Sequence, residues 1–295
     1  MNSGDSFSAT ALDVTLQASL KKTLAVARER TAAQVKVDVL TRLMQCAESV
    51  RMVPNSFLRS ALFGVVRNKG AKLGEGQNRA QRQYLRRKRI VSVSGVEILY
   101  TGERLDQNDL DAWTTVLHTV RKQPLGSECR TTTYALLKTM GLKDTVENRA
   151  HLIDRIVRLS ASAVEIKQGR YHYIGGLIHS AVTDEVTQEW VITLDDKMAV
   201  LFGSDQFTCL DWKVRRLLKN KQLAKWLYGN YMSHTQPYPM KISTIHALCD
   251  SQTTDPYKFT QLLKTALDDV ADACSRCGVT FSWEIVDGLV RVKKS

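Results

Sequence analysis

The sequence predicts an α+β protein: two tandem winged-helix domains preceded by an N-terminal helical segment and a basic arm. Three observations carry this. Helical and alternating β-type periodicities follow one another in the same order twice along the chain. A short turn marked by glycine or proline separates two helices within each series. Each series closes on two β-rich runs joined at a tight turn, "KQGR" around Gly169 and "DG" at 287–288.

In order, residues 11–52 hold neither glycine nor proline, and Leu16, Leu20, Leu24 and Ala27 recur at helical spacing. One or two helices are expected there, outside the main cores. From Arg67 to Arg89 glycine and positive charge dominate while apolar residues thin out, the composition of a basic loop or arm. "IVSVSGVEILYTG", starting at Ile90, alternates like a strand bent at Gly95. "LDQNDLDAWTTVLHTVRKQ" puts Leu110, Trp113, Val116, Leu117 and Val120 on one helical face. An extended piece at 128–130 precedes a helix that Gly141 ends, and "TVENRAHLIDRIVRLSAS" gives a second helix after the turn. "AVEIKQGRYHYIGGLIHSAV" is the closing hairpin.

The second series opens on "EWVITLDDKMAVLF", read as extended, and on "LDWKVRRLLKNKQLAKWLYGNYMSH", read as one long helix. "QPYP" at 236–239 is a rigid corner into the short strand "MKIS". "STIHALCD" is a helix, Pro256 starts the next, and "VTFSWEIVDGLVRVKKS" is the last hairpin. The expected organisation is a helical segment at 1–52, a first winged-helix domain at 53–184 carrying the basic arm (67–89), and a second at 185–295.

A formal net charge of +12 concentrates polyanions around a protein, so nucleic acid is the leading partner class. No apolar run approaches the roughly 18 residues that cross a bilayer, and "MNSGDSFSAT" lacks the charged start and apolar core of a secretion signal. A cytoplasmic protein without a membrane partner is expected. The scattered cysteines suit reduced thiols. "CSRC" at 274–277 and "HALC" at 246–249 could together complete a tetrahedral zinc site, but both fall on helices that would pack together, where cysteine is a small core residue. No metal or cofactor is expected. A "GxxxxGK[ST]" phosphate loop is absent, "GLIHSAV" lacks nucleophile-elbow spacing, and Tyr171, Tyr173 and Tyr238 lack paired metal-binding histidines. The chain therefore reads as a binding protein rather than an enzyme.

The helix after each turn is the candidate for a DNA groove. In the first, Leu152, Ile156 and Leu159 occupy one face and leave Asn148, His151, Arg155 and Arg158 as a stripe, with Arg149 near the helix start. Asn and Arg pair bidentately with adenine and guanine edges. The second offers Lys258, Gln261, Lys264 and Thr265, while Asp268, Asp269 and Asp272 make its later turns repel phosphate. Lys167 and Arg170 flank the first hairpin turn, and Arg291, Lys293 and Lys294 follow the second, positions suited to phosphate or minor groove. Arg79, Arg82, Arg86, Arg87, Lys88 and Arg89 read as a phosphate clamp on the arm.

"MVPNSFLRSALF" with "RNK" (52–69), "ILYTGERL" (98–105), "VLFGSDQFT" (200–208) and "SHTQPYPMK" (233–241) lie in order along most of the chain. On these stretches the sequence resembles the TrfA-type plasmid replication initiators. The resemblance implies a protein that binds direct repeats (iterons) at a plasmid origin of double-stranded DNA. It further implies opening of an adjacent A·T-rich region, recruitment of the host initiator and replicative helicase, and control by a monomer–dimer balance. It also implies a sliding-clamp partner through a glutamine-leucine-phenylalanine motif; the nearest pieces here, "LQASLKK" and "VLTRLMQ", lack the aromatic ending. A winged-helix transcriptional regulator is the nearest rival, and a tyrosine-dependent strand-nicking enzyme a further one.

Overall fold

The computed structural model describes residues 45–65, 82–121, 128–203 and 206–295, with positions 21, 34, 37, 41 and 42, which are helical. The first part holds β1 (Val50–Pro54), the one-turn α1 (Asn55–Leu58), β2 (Phe63–Gly64), β3 (Tyr84–Ile90), β4 (Val96–Glu103), β5 (Leu105–Asp106) and the helix α2 (Gln107–Val120). Next come β6 (Cys129–Thr132), α3 (Thr133–Met140), α4 (Val146–Ser160), the hairpin β7 (Ala163–Gln168) and β8 (Tyr171–Gly175), β9 (Ser180–Thr183) and β10 (Glu189–Thr193). A 3-10 helix (Asp196–Phe202) leads to β11 (Phe207–Asp211), α5 (Trp212–Leu217) and α6 (Gln222–Met232). The chain closes on β12 (Met240–Lys241), α7 (Ile242–Leu248), α8 (Pro256–Ser275), β13 (Phe281–Val286) and β14 (Leu289–Lys294). The result is a mixed α+β fold of helices and several small sheets.

Local chemistry explains the elements the sequence announced. Asp106 accepts the N–H groups of Asn108 and Asp109, while Asp109 takes the N–H of Asp106 at 2.9 Å, a capping box that starts α2. Gly141 adopts φ 72°, closing α3 with its N–H on the carbonyls of Leu137 and Lys138. Asp287 and Gly288 both take positive φ, the type I′ requirement of a two-residue hairpin loop.

Four expectations need correction. Strand β3 occupies the last residues of the expected basic arm, because Leu85 and Ile90 anchor it inward and it pairs with β4. A bulge between Leu85 and Lys88, with Arg87 at φ 42°, lets the intervening charges face solvent. Val50–Met52, read as the end of a helix, is strand, paired through Met52 with Cys209 of β11. The long helix expected after Asp211 is two, interrupted at Asn220 with φ 65°, a backbone state asparagine tolerates. The stretch after Asp195 is 3-10 helix rather than extended: Asp195 caps the N–H of Lys197 at 2.9 Å, and Met198, Ala199, Leu201 and Phe202 turn inward.

Strand pairing interleaves the two series. The sheet β3-β4-β7-β8 extends the first hairpin, and β12-β14-β13 contains the second. β10, beyond the expected boundary after residue 184, joins β6 and β9, while β1 pairs with β11. A single cluster of buried apolar side chains runs through both series, including Phe57, Trp113 and Leu152 from one and Trp226, Tyr231 and Phe259 from the other. Side-chain ties add to it. Arg59 donates to the Oγ and carbonyl of Ser233, anchoring the corner before "QPYP", and Arg104 donates to the carbonyl of Asp250.

Buried His118 and half-buried His234 give this core a pH dependence. Burial is the main cause holding His118 down to about 4, despite Glu48 Oε2 at 3.1 Å. His234 is likewise held down to about 4 by burial, then by Arg59 and Lys294. A base whose folded pKa lies below its unfolded value of about 6.5 adds stability above that pH and loses it as pH falls toward 4. Asp109, pushed up by burial and the Asp106 carboxylate, works oppositely, losing stability as pH rises through the carboxylate range. The test is therefore a difference: Tm should fall less between pH 7 and 5 in His234→Gln than in the parent chain, and parallel curves would exclude this contribution.

Candidate nucleic-acid interface

The helix after the first turn forms as expected, with Thr145 capping the N–H of Asn148 and Leu152, Ile156 and Leu159 buried. Its expected polar stripe is divided. The Asn148 amide donates to the carbonyl of Lys143 at 2.7 Å, bracing the turn. Arg149 binds both oxygens of Asp144, at 2.6 and 2.8 Å. Arg158 binds Glu103 at 3.0 Å and the buried Asp109 at 2.6 Å. These three side chains have partners within the fold because the turn and α2 bring carboxylates and a carbonyl against them. His151 and Arg155 remain, and they look toward α5. On the opposite flank α4 exposes Val146, Ile153 and Val157, an apolar line at spacings of seven and four that the polar stripe concealed in the sequence.

Between α4 and α5 lies a groove of about 770 Å³. Trp212 begins α5 by donating from Nε1 to the carbonyl of Thr139 at 3.0 Å, which docks this helix on the end of α3. Arg216 lies over the turn so closely that a side chain at Gly141 would collide with its guanidinium. Lys213, Arg216 and Lys219 are exposed along this wall, facing His151 and Arg155. Below them charges are matched: Arg82 binds Asp106 at 2.7 Å and Asp109 at 2.9 Å, and Arg215 and Lys225 both bind Asp111. Arg155, Lys213, Arg216 and Lys219 form no ion pair among the described residues. The sequence carried a signal for the latter three, cations at steps of three from Lys213, which the single-helix reading passed over.

The second turn leads into α8, where Asp255 caps the N–H groups of Tyr257 and Lys258. Lys258, Gln261, Lys264 and Thr265 are all exposed on its first turns, as is Tyr257, which the sequence reading passed over. The later acids have partners: Asp268 accepts from Trp283 Nε1 at 3.2 Å, Asp269 binds Lys221 at 2.6 Å, and Asp272 lies 3.8 Å from Arg276. A second groove of about 520 Å³ reaches Thr265 and shares Asn108 and Asn220 with the first. The two grooves therefore adjoin at Asn108 and Asn220.

The hairpins and the basic cluster contribute less free charge than expected. Lys167 lies 3.8 Å from Glu97, and Arg170 stacks over Tyr171 while donating to its hydroxyl. Arg291 lies 3.6 Å from Glu284, Lys294 donates to the carbonyl of Met232, and Lys293 is exposed. Arg79 lies outside the described residues. Arg82 is half-buried in its ion pairs, Arg87 binds Glu165 at 2.8 Å and Arg89 binds Glu97 at 3.1 Å, whereas Arg86 and Lys88 are exposed. Cys249 and Cys274 are core residues, and His246 donates to or accepts within the fold, with its Nε2 2.8 Å from the carbonyl of Thr253 and its ring edge-on to Phe259. The Tyr173 hydroxyl donates to the carbonyl of Gly176, and burial pushes its pKa up. Among the described residues no helix is long and apolar enough to cross a membrane.

The family model described as TrfA protein matches residues 9–294. The plasmid replication initiator protein TrfA of Escherichia coli is 28% identical over 254 residues, which cover 84% of this chain and 62% of that protein. The chain thus spans less than two thirds of that relative's length. The crystal structure of domains 2 and 3 of RctB, solved as a selenomethionine derivative, aligns at a TM-score of 0.50 and 13% identity, covering 73% of this chain and 92% of that one. A second structure of RctB domains 2 and 3 aligns at a TM-score of 0.47 and 14% identity, covering 72% and 91%. At these identities the RctB likeness speaks for the fold alone, whereas the family match runs almost end to end: this chain belongs to the TrfA family.

Proposed function

We propose that this protein initiates plasmid DNA replication by binding direct repeats at the origin through two winged-helix units. One unit is built on α2, α3 and α4 with the β7–β8 wing, the other on α5 to α8 with the β13–β14 wing. The observation that carries the reading is the groove between α4 and α5, where Lys213, Arg216 and Lys219 form no ion pair among the described residues, in a chain of the TrfA family. Neither unit needs a catalytic group: binding strains the duplex, the contacts offset that strain, and flexible A·T-rich steps nearby open more easily. Recruitment of the host initiator and replicative helicase, and a monomer–dimer balance, complete the reading.

Within it, α8 reads base edges through Gln261 and Lys264, and Thr265 suits a thymine methyl. His151 and Arg155 serve the first unit, while Asn148, Arg149 and Arg158 hold its shape. Gln261→Ala and Lys264→Ala should each lower the preference for origin repeats over scrambled duplex by about 1–3 kcal/mol, roughly 5- to 150-fold. Arg158→Ala should instead lower Tm and leave that preference intact. Mobility shifts on the plasmid's own origin, with permanganate probing of unpaired thymine, test the whole reading. Absence of any repeat preference would remove it; protection without reactive thymine would remove only the opening step.

A further inference from the structure

Two helices that read successive major grooves from one side of a duplex straddle the minor groove between them, about one helical turn apart at some 34 Å. The sugar–phosphate strands bordering that minor groove must then pass over whatever protein surface joins the helices. Here that surface is the wall formed by α5 and the turn at Asn220. Lys213, Arg216 and Lys219 stand on it at steps of three, and Arg155 faces them from α4. The carboxylates beneath, Asp106, Asp109 and Asp111, are already engaged by Arg82, Arg158, Arg215 and Lys225. Asp154 also lines the groove, on α4 beside Arg155, while Lys213, Arg216 and Lys219 on the facing wall form no ion pair among the described residues and are open to an anion from outside.

The groove's size and continuity select the class of anion. At about 770 Å³, with cations set along its wall from Lys213 to Lys219, it is a track rather than a cage for one ion. Long exposed lysines and arginine supply charge with little geometric demand, as phosphate positioning requires and base reading does not. We infer that Lys213, Arg216 and Lys219, with Arg155 opposite, form a phosphate seat that holds the DNA backbone between the two reading helices; this rests on the two-helix reading above. The grip expected of the basic arm is supplied here, at the junction of the two units. Because Trp212 fixes α5 to the end of α3, the seat is held at a set place against the first unit.

The test uses the full chain and a triple variant, Lys213→Gln with Arg216→Gln and Lys219→Gln, in fluorescence anisotropy across a salt series. Origin-repeat and scrambled duplexes are compared, and a thermal melt confirms that the variant folds. The slope of log affinity against log salt should become shallower by about 2–3, with both duplexes weakened by a similar factor and the repeat preference kept. An unchanged slope in the triple variant, with Gln261→Ala still lowering the preference, overturns the seat and leaves the helix reading standing. A parent chain with no preference overturns the helix reading and the seat with it. Competition by inorganic pyrophosphate at micromolar concentration, present in the parent and lost in the triple variant, overturns the seat in favour of a small-anion site.

Discussion

Asp111→Ala should destabilise the fold by about 3–5 kcal/mol, the cost of leaving buried charge without its partner. Asp111 lies on α2, and its two oxygens take the Arg215 guanidinium and the Lys225 ammonium. Those cations are 2% and 4% exposed, so water cannot replace the lost carboxylate. Burial alone would raise the Asp111 pKa, yet Arg215 and Lys225 hold it below the usual carboxylate range. Arg215 also donates to the carbonyl and side-chain oxygen of Gln107, at 3.2 and 3.0 Å, so the alanine variant unsettles the first turn of α2. Urea denaturation should show the loss, and Tm should fall by about 10 °C. Replacing all three residues by leucine and methionine should recover most of it, since an apolar cluster of similar volume needs no counter-charge. A loss below about 1 kcal/mol in Asp111→Ala would mean that solvent reaches these cations.

That cluster marks where sequence reading stops. α2, α3, α4, α8 and both hairpins were legible because each combines a periodic apolar face with a local terminator: Asp106, Gly141, Asp255, or the turns at Gly169 and Asp287–Gly288. Such signals act within a few residues of one another. The pairing of β1 with β11 joins residues far apart along the chain, and nothing local in "VRMVP" separates strand from the end of a helix. The site failed for a related reason. Arg82 and Arg158 look like any exposed cation in the sequence, and only the fold places Asp109 between them. Conversely, Lys213, Arg216 and Lys219 were hidden because the break at Asn220 was read through. Charge that serves a partner can be told from charge spent inside the fold only when every carboxylate has been placed.

Trp113→Ala is the second large effect, about 3–5 kcal/mol, and it decides whether α4 and α8 move as one body. Trp113 is fully buried on α2, its Nε1 donating to the carbonyl of Leu177 at 2.9 Å. The Phe57 ring meets it edge-on at 5.0 Å, and Phe202 stacks nearly parallel at 6.4 Å. Alanine would remove these contacts, leave a cavity and strand the Leu177 carbonyl, whereas Trp113→Phe keeps most of the volume and should cost less. Phe57 follows β1, which pairs with β11, and Phe202 precedes β11, so the damage reaches the second series through both. Fluorescence of the four remaining tryptophans, Trp190, Trp212, Trp226 and Trp283, all within that series as the sequence sets its bounds, should therefore shift with far-UV circular dichroism in one transition. Two separated transitions would show that the halves fold independently. In that case α4 and α8 would be tethered rather than held in register, and affinity for two sites would depend on effective concentration. A single transition fixes the distance between α4 and α8, so that inserting half a helical turn between their two sites on DNA should abolish binding rather than weaken it.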